Sequence, residues 1–132
     1  MVWSREVSMT GKIFVDRIQH AVHEPTAEHP RVLTDRLWPR GLRKDALGDI
    51  QWYNKASPST ELRKAFHAGT LDVPTFQVAY KKQLLDDIAC LAPLLALLNK
   101  GDVTLLTATK DANTSYLSVL KTVLLEQVAS QT

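Results

Sequence analysis

Asp102-Val103-Thr104-Leu105-Leu106-Thr107 is the stretch whose reading decides the fold. Its apolar character is nearly continuous, without the alternation of a strand that is wet on one side. A strand of that kind is buried on both faces, as in a parallel sheet covered by helices. Gly101 just before it is a natural helix stop.

The flanks agree with that reading. Upstream, Phe76, Tyr80, Leu84, Ile88, Leu91, Leu95 and Leu98 recur at steps of three and four, which marks one apolar helical face beginning near Pro74. Pro93 interrupts the pattern, so the helix kinks there or a new one starts with Pro93 in its first turn. Downstream, Leu117, Leu120, Leu124 and Val128 form the inner stripe of a final helix from about Asn113. Further back, Ser57-Pro58-Ser59-Thr60-Glu61 predicts a helix start, with Ser57 as N-cap and Pro58 at the first position. That helix carries Leu62, Arg63 and Phe66 and stops near Gly69. Residues 12–18 and 31–37 read as strands, residues 20–30 as a loop, and residues 40–51 as irregular chain or a short helical turn. The expected fold is α/β: a small, mostly parallel sheet flanked by helices, in a single compact domain. It spans residues 1–132, with residues 1–11 as a flexible N-terminal extension.

Composition narrows the function classes. With 132 residues, 45% hydrophobic and 23% charged, the chain has the make-up of an ordinary soluble globular protein. The apolar run at residues 88–98 is far short of the ~20 residues that span a bilayer. A lone Cys90 excludes an internal disulfide and suits a reducing compartment, so a cytoplasmic protein is expected. Neither a Rossmann nor a Walker glycine fingerprint occurs, and no cofactor is expected. His20, His23 and His29, with Glu24 and Glu28, lie in a proline-containing loop without metal-ligand spacing, so no metal is expected either. Cys90 sits in an apolar helical run and reads as a small hydrophobe, and Ser57 and Ser59 lack the context of an acyl-transfer nucleophile.

The candidate site is the strand exit Asp35-Arg36-Leu37-Trp38-Pro39-Arg40-Gly41-Leu42-Arg43. Between Arg31 and Lys44 there are five basic residues and one acid, Asp35. Pro39 fixes one backbone angle and Gly41 permits an unusual one, so the loop has a specified shape. In parallel sheets ligands bind beyond the carboxyl ends of the strands. That rule brings this loop together with Thr107-Ala108-Thr109-Lys110-Asp111. Arg36, Arg40 and Lys110 are the candidate anion ligands, with Arg63 as a further one, because a guanidinium offers a fixed fork of donors to carboxylate or phosphate. Asp35 and Asp111 would orient these cations, and Trp38 would wall the site. A closed network competes with this reading: Arg36 paired with Asp35 or Asp111, Arg63 paired with Glu61 or another carboxylate, Arg43 and Lys44 solvated, and Trp38, Trp52 and Tyr53 packed as core plugs.

At these residues the chain resembles the short bacterial proteins of domain-of-unknown-function family 488, the YeaO-like group. The resemblance rests on residues 31–42, on Ala56-Ser57-Pro58-Ser59-Thr60-Glu61-Leu62-Arg63, on Phe76, Tyr80 and Leu84, and on Val103-Thr104-Leu105-Leu106 leading to Ala108 and Lys110-Asp111. It implies a compact α/β domain without an assigned biochemical role and supplies no catalytic residue. Thr34 stands where relatives often have valine, and Val73-Pro74 replaces a common tryptophan. Longer members of the wider family often carry a cysteine at the third strand and a Cys-His-Arg triplet after it. Here Thr107 and then Ser115, Tyr116 and Leu117 stand in the matching places, so no thiol chemistry carries over.

The leading expectation is a protein that binds a small anionic ligand, a nucleotide or phosphorylated metabolite. Any catalysis would be that of a metal-independent transferase or hydrolase working by positioning and charge stabilisation. A non-catalytic nucleic-acid-binding module is the alternative, with weak and salt-sensitive binding, since no helix-turn-helix signal is present. A third reading is a homo-oligomeric interaction protein joined through the leucines of residues 91–98.

Overall fold

The structure is a computed structural model and describes residues 11–23, 28–109 and 116–131. Among these, four parallel strands form one sheet: β1 (Ile13–Arg17), β2 (Arg31–Leu33), β3 (Gln51–Trp52) and β4 (Val103–Thr107). Their spatial order is β1-β4-β2-β3. β4 is central, with Leu105 beside both Val15 of β1 and Val32 of β2.

The side chains of β4 alternate between two cores. Val103 and Leu105 join Ile13 and Val32 on the larger one, against Tyr80, Leu84, Leu98, Leu117, Leu120 and Leu124. Leu106 joins Leu33 on the other face, with Ile18, Ala21 and Ile50. Leu105 and Leu106 are both completely buried, which explains the unbroken apolar stretch in the sequence. Each such leucine contributes about 1.5–3 kcal/mol by leaving water.

Five helices surround the sheet: α1 (Ile18–Ala21), α2 (Thr60–His67), α3 (Val73–Asp86), α4 (Ala92–Lys100) and α5 (Tyr116–Gln131), counted among the described residues. Ser59, not Ser57, caps α2: its Oγ accepts the Leu62 N–H at 3.1 Å. Ser57 is buried and its hydroxyl donates to the Asn54 carbonyl at 2.6 Å, so it is spent before the helix begins. α2 ends on Gly69 at φ +79°, with the Gly69 N–H on the Phe66 carbonyl and the Thr70 N–H on the Ala65 carbonyl. That pair of bonds is the Schellman closure, whose left-handed position favours a residue without a Cβ. Asp72 caps α3 through the Thr75 N–H at 2.9 Å. At the proline the chain restarts rather than kinks: a 3-10 turn at Ile88–Leu91 separates α3 from α4, and Pro93 lies in the first turn of α4. The turn breaks the helical phase, and Ile88 falls off the inner stripe to 38% exposure.

Other expectations change. α1 replaces the end of the first expected strand and the start of the loop after it. β2 stops at Leu33 instead of residue 37. After Thr34, whose N–H still reaches the Leu106 carbonyl, side chains take over the ladder. The Trp52 indole donates to the Asp35 carbonyl and the Asn54 amide to the Arg36 carbonyl. Trp52 lies on the short edge strand β3, which the sequence reading missed, and at 41% exposure it is not a core plug. Leu91, Leu94, Leu95 and Leu98 are buried inside this chain, and Leu97 of the same segment is half-buried. Gly11 packs on the end of α4, donating to the Leu98 carbonyl at 2.9 Å. Residues 1–10 of the expected extension and residues 113–115 of the expected last helix lie outside the described residues. No helix among the described residues is long and apolar enough to cross a membrane.

Candidate functional site

Parallel strands end together, so the exits of β2 and β4 lie side by side. Asp35, two residues beyond β2, turns its carboxylate onto the exit of β4. Oδ1 accepts the Thr107 hydroxyl at 2.6 Å and the Tyr116 hydroxyl at 2.6 Å. Oδ2 accepts the Ala108 N–H at 2.8 Å. The Thr34 hydroxyl lies 2.9 Å from the Tyr116 hydroxyl and extends the network to the first turn of α5. Burial, and then the Asp35 charge beside it, push the Tyr116 phenol well above its ordinary value near 10. Tyr116 therefore stays protonated and serves as a donor, not as a base.

Arg36 does not pair with Asp35. Its Nε donates to the Pro58 carbonyl at 2.7 Å and one terminal nitrogen to the Ser57 carbonyl at 3.3 Å. The guanidinium thus fastens the strand-exit loop to the entry of α2, where two carbonyls precede the helix. Trp38 folds back on its own loop: its indole donates to the Leu42 carbonyl at 2.6 Å, across a turn closed by Gly41 at φ +81°. Its ring meets Trp52 edge-on at 5.1 Å, and the Lys44 ammonium sits 5.9 Å over it. Of the outer cations, Arg43 pairs with Asp45 at 3.2 Å, while Arg40 is exposed.

Between these elements lies a cavity of about 310 Å³. One wall is the loop of residues 35–39, and the opposite wall is α2 with Arg63, Phe66 and His67. Phe76, Pro58, Ala108, Thr109 and Tyr116 complete it, so the lining is mostly apolar. Four expected site residues meet there: Asp35, Arg36, Trp38 and Arg63. Arg40 is not among the lining residues, and Lys110 and Asp111 lie outside the described residues. The Arg63 Nε is buried and has no hydrogen-bond partner. Its expected ion pair with Glu61 does not form; Arg63 is in no ion pair among the described residues.

Tyr116, Phe66, His67 and Phe76 are site residues that the sequence did not single out, whereas Thr107, Ala108 and Thr109 belong to the expected second strand exit. Phe66 and Phe76 were visible as apolar helical positions, yet only the packing of α2 on α3, with the two rings 4.6 Å apart, turns them toward the cavity. The histidines do not gather: His20 pairs with Asp16, and His29 meets Thr104 and stacks on Phe14. Among the described residues, no group of three or more His, Cys, Asp or Glu side chains is placed to hold a metal ion.

A protein-family model described as the inactive DUF488-N3 subclade matches residues 12–132. The chain belongs to that DUF488 family. It is 37% identical to the uncharacterized protein YeaO of Escherichia coli K12 over 101 residues, covering 75% of this chain and 88% of YeaO. It is 39% identical over 90 residues to the uncharacterized protein Rv3073c of Mycobacterium tuberculosis, covering 68% of this chain and 75% of that protein. The uncharacterized protein Mb3100c of Mycobacterium bovis matches to the same extent. No solved structure matches the chain. In this DUF488 domain Thr107, the last residue of β4, commits its hydroxyl to Asp35.

Proposed function

We propose that this DUF488 protein binds a small anionic ligand, a nucleotide or phosphorylated metabolite, in the cavity between residues 35–39 and α2, and that it binds without turnover. The observation that carries the reading is Arg63. Arg63 lines a ligand-sized cavity, is in no ion pair among the described residues and has a buried Nε without a partner, so its terminal N–H groups are donors in want of an acceptor. Arg36 stands on the opposite wall with only two of its five N–H groups used. Aromatic and proline surfaces between them suit a flat or apolar body. Lys110 and Asp111 follow directly on the cavity residue Thr109 and belong to the proposed set. Arg40 stands outside the set.

The absence of turnover rests on chemistry. Thr107 and Tyr116, the hydroxyls nearest the strand exits, both donate to Asp35, and a phenol held protonated is a poor base. The family description as inactive agrees with this. In this reading the protein works in the cytoplasm, which its lone Cys90 suits.

Titration calorimetry with adenosine 5′-monophosphate, ribose 5-phosphate and uncharged adenosine tests the proposal. The phosphates should bind and adenosine should not. Arg63→Gln should weaken phosphate binding about 10- to 100-fold, the scale of one hydrogen bond to a charged group. Unchanged affinity in that variant would remove the site.

A further inference from the structure

We infer that the ligand is a nucleoside monophosphate held in one direction, its phosphate on Arg63 and a ribose hydroxyl on Asp35. This rests on the anion-binding reading above and adds the identity of the other end. A carboxylate has about four acceptor positions. Three at Asp35 are filled by Thr107, Tyr116 and the Ala108 N–H, and Asp35 also lines the cavity. What remains at that wall is an acceptor, and only a donor on the ligand can use it.

The surroundings make the preference one-sided. Thr107 and Tyr116 have given their protons to Asp35, so they offer none to a ligand. A phosphate there would meet the Asp35 charge, at a wall where the Arg36 guanidinium is already fastened to the Ser57 and Pro58 carbonyls. The anion is thereby steered to Arg63 across the cavity, and a neutral hydroxyl to Asp35. At about 310 Å³ the cavity is at the lower bound of the roughly 300–1,000 Å³ typical of ligand sites, which favours one phosphate over a longer chain. The rings of Phe66 and Trp38 on its walls give a base a surface to stack on.

The test compares adenosine 5′-monophosphate with its 2′,3′-dideoxy analogue and with adenosine 5′-triphosphate on the full chain. The dideoxy analogue should bind at least about tenfold more weakly, and the triphosphate no more tightly than the monophosphate. In Asp35→Asn the two monophosphates should converge in affinity, because an amide whose oxygen accepts from Tyr116 and Thr107 puts its NH2 where the spare acceptor was. The wild-type comparison stands even if that variant fails to fold. Equal binding of the two monophosphates to the wild type, or tighter binding of the triphosphate, would overturn the inference and leave the Arg63 site intact. If no phosphate binds, the site and the inference fall together.

Discussion

The Tyr116 hydroxyl and the Asp35 carboxylate meet at 2.6 Å although 81 residues separate them in the chain. This bond joins the exit of β2 to the start of α5 and closes one end of the cavity. It also fixes which partner keeps the proton, since burial and the neighbouring charge both hold the phenol in its neutral form.

Tyr116→Phe keeps the ring and removes that donor. The expected cost is about 1–2 kcal/mol, a hydrogen bond to a charged acceptor partly offset by what remains on Asp35. Urea unfolding followed by circular dichroism would measure it. A variant as stable as the wild type would mean that the bond is not made in solution.

The same phenol predicts an alkaline limit. Tyr116 and Tyr80 both titrate well above their ordinary value in the fold, Tyr80 because it is fully buried with its hydroxyl on the Ala56 carbonyl. A pKa raised in the folded state gives stability that is complete below the unfolded value, near 10, and is lost as pH rises above it. Stability should be insensitive to these groups up to about pH 10 and then decline. Tyr116→Phe should make the decline shallower. An identical slope in the variant would contradict the assignment.

Three arginines, Arg36 and Arg40 of the strand-exit loop and Arg63 of α2, should respond differently to glutamine. Arg36→Gln loses the bonds to the Ser57 and Pro58 carbonyls and should cost about 1.5–3 kcal/mol of stability. Arg63→Gln breaks no bond in the described structure, so its stability should stay within about 0.5 kcal/mol while phosphate affinity falls. Arg40→Gln, at an exposed position off the cavity, should leave both within experimental error. Paired unfolding and calorimetric titrations would separate the three. A large stability loss in Arg63→Gln would make that arginine a structural tie.

Gly11→Ala tests the fit between the start of β1 and the end of α4. A Cβ at residue 11 would lie 1.8 Å from the Gly101 carbonyl oxygen, which is backbone and cannot swing aside. The expected penalty is at least about 1–3 kcal/mol, the cost of overpacking. A melting temperature equal to wild type would show that the two segments are not in contact.

The elements that could be read in the sequence are those whose burial repeats. The stripes of α3 to α5 carry their apolar residues at steps of three and four, and β4 carries an unbroken apolar run buried on both faces, so packing and sequence carry the same signal. β3 could not be read that way, because two exposed residues, Gln51 and Trp52, pair only with Val32 and Leu33. The cap of α2 falls on Ser59 where the sequence suggested Ser57, because the two are chemically alike and only the fold sends the Ser57 hydroxyl to Asn54 and leaves that of Ser59 to accept from Leu62. At the site, the residue types pointed to the strand exit but not to the partners. Asp35 takes its donors from residues 107, 108 and 116, whose approach depends on the tertiary fold. Arg36 found carbonyls where charge alone suggested a carboxylate, and Arg63 was left open because its pairing partner Glu61 is only two residues away on the same helix, facing elsewhere.

The edge-on contact between Trp38 and Trp52 also has an optical consequence. Indoles 5.1 Å apart exchange excitation energy, and the Lys44 charge over one of them tunes its emission. Trp38 lines the cavity, and Trp52 is tied to the Asp35 carbonyl at its end. A ligand bound there should therefore change the intrinsic ultraviolet fluorescence of the chain, and a Trp52→Phe variant would identify the share of the signal that comes from the pair.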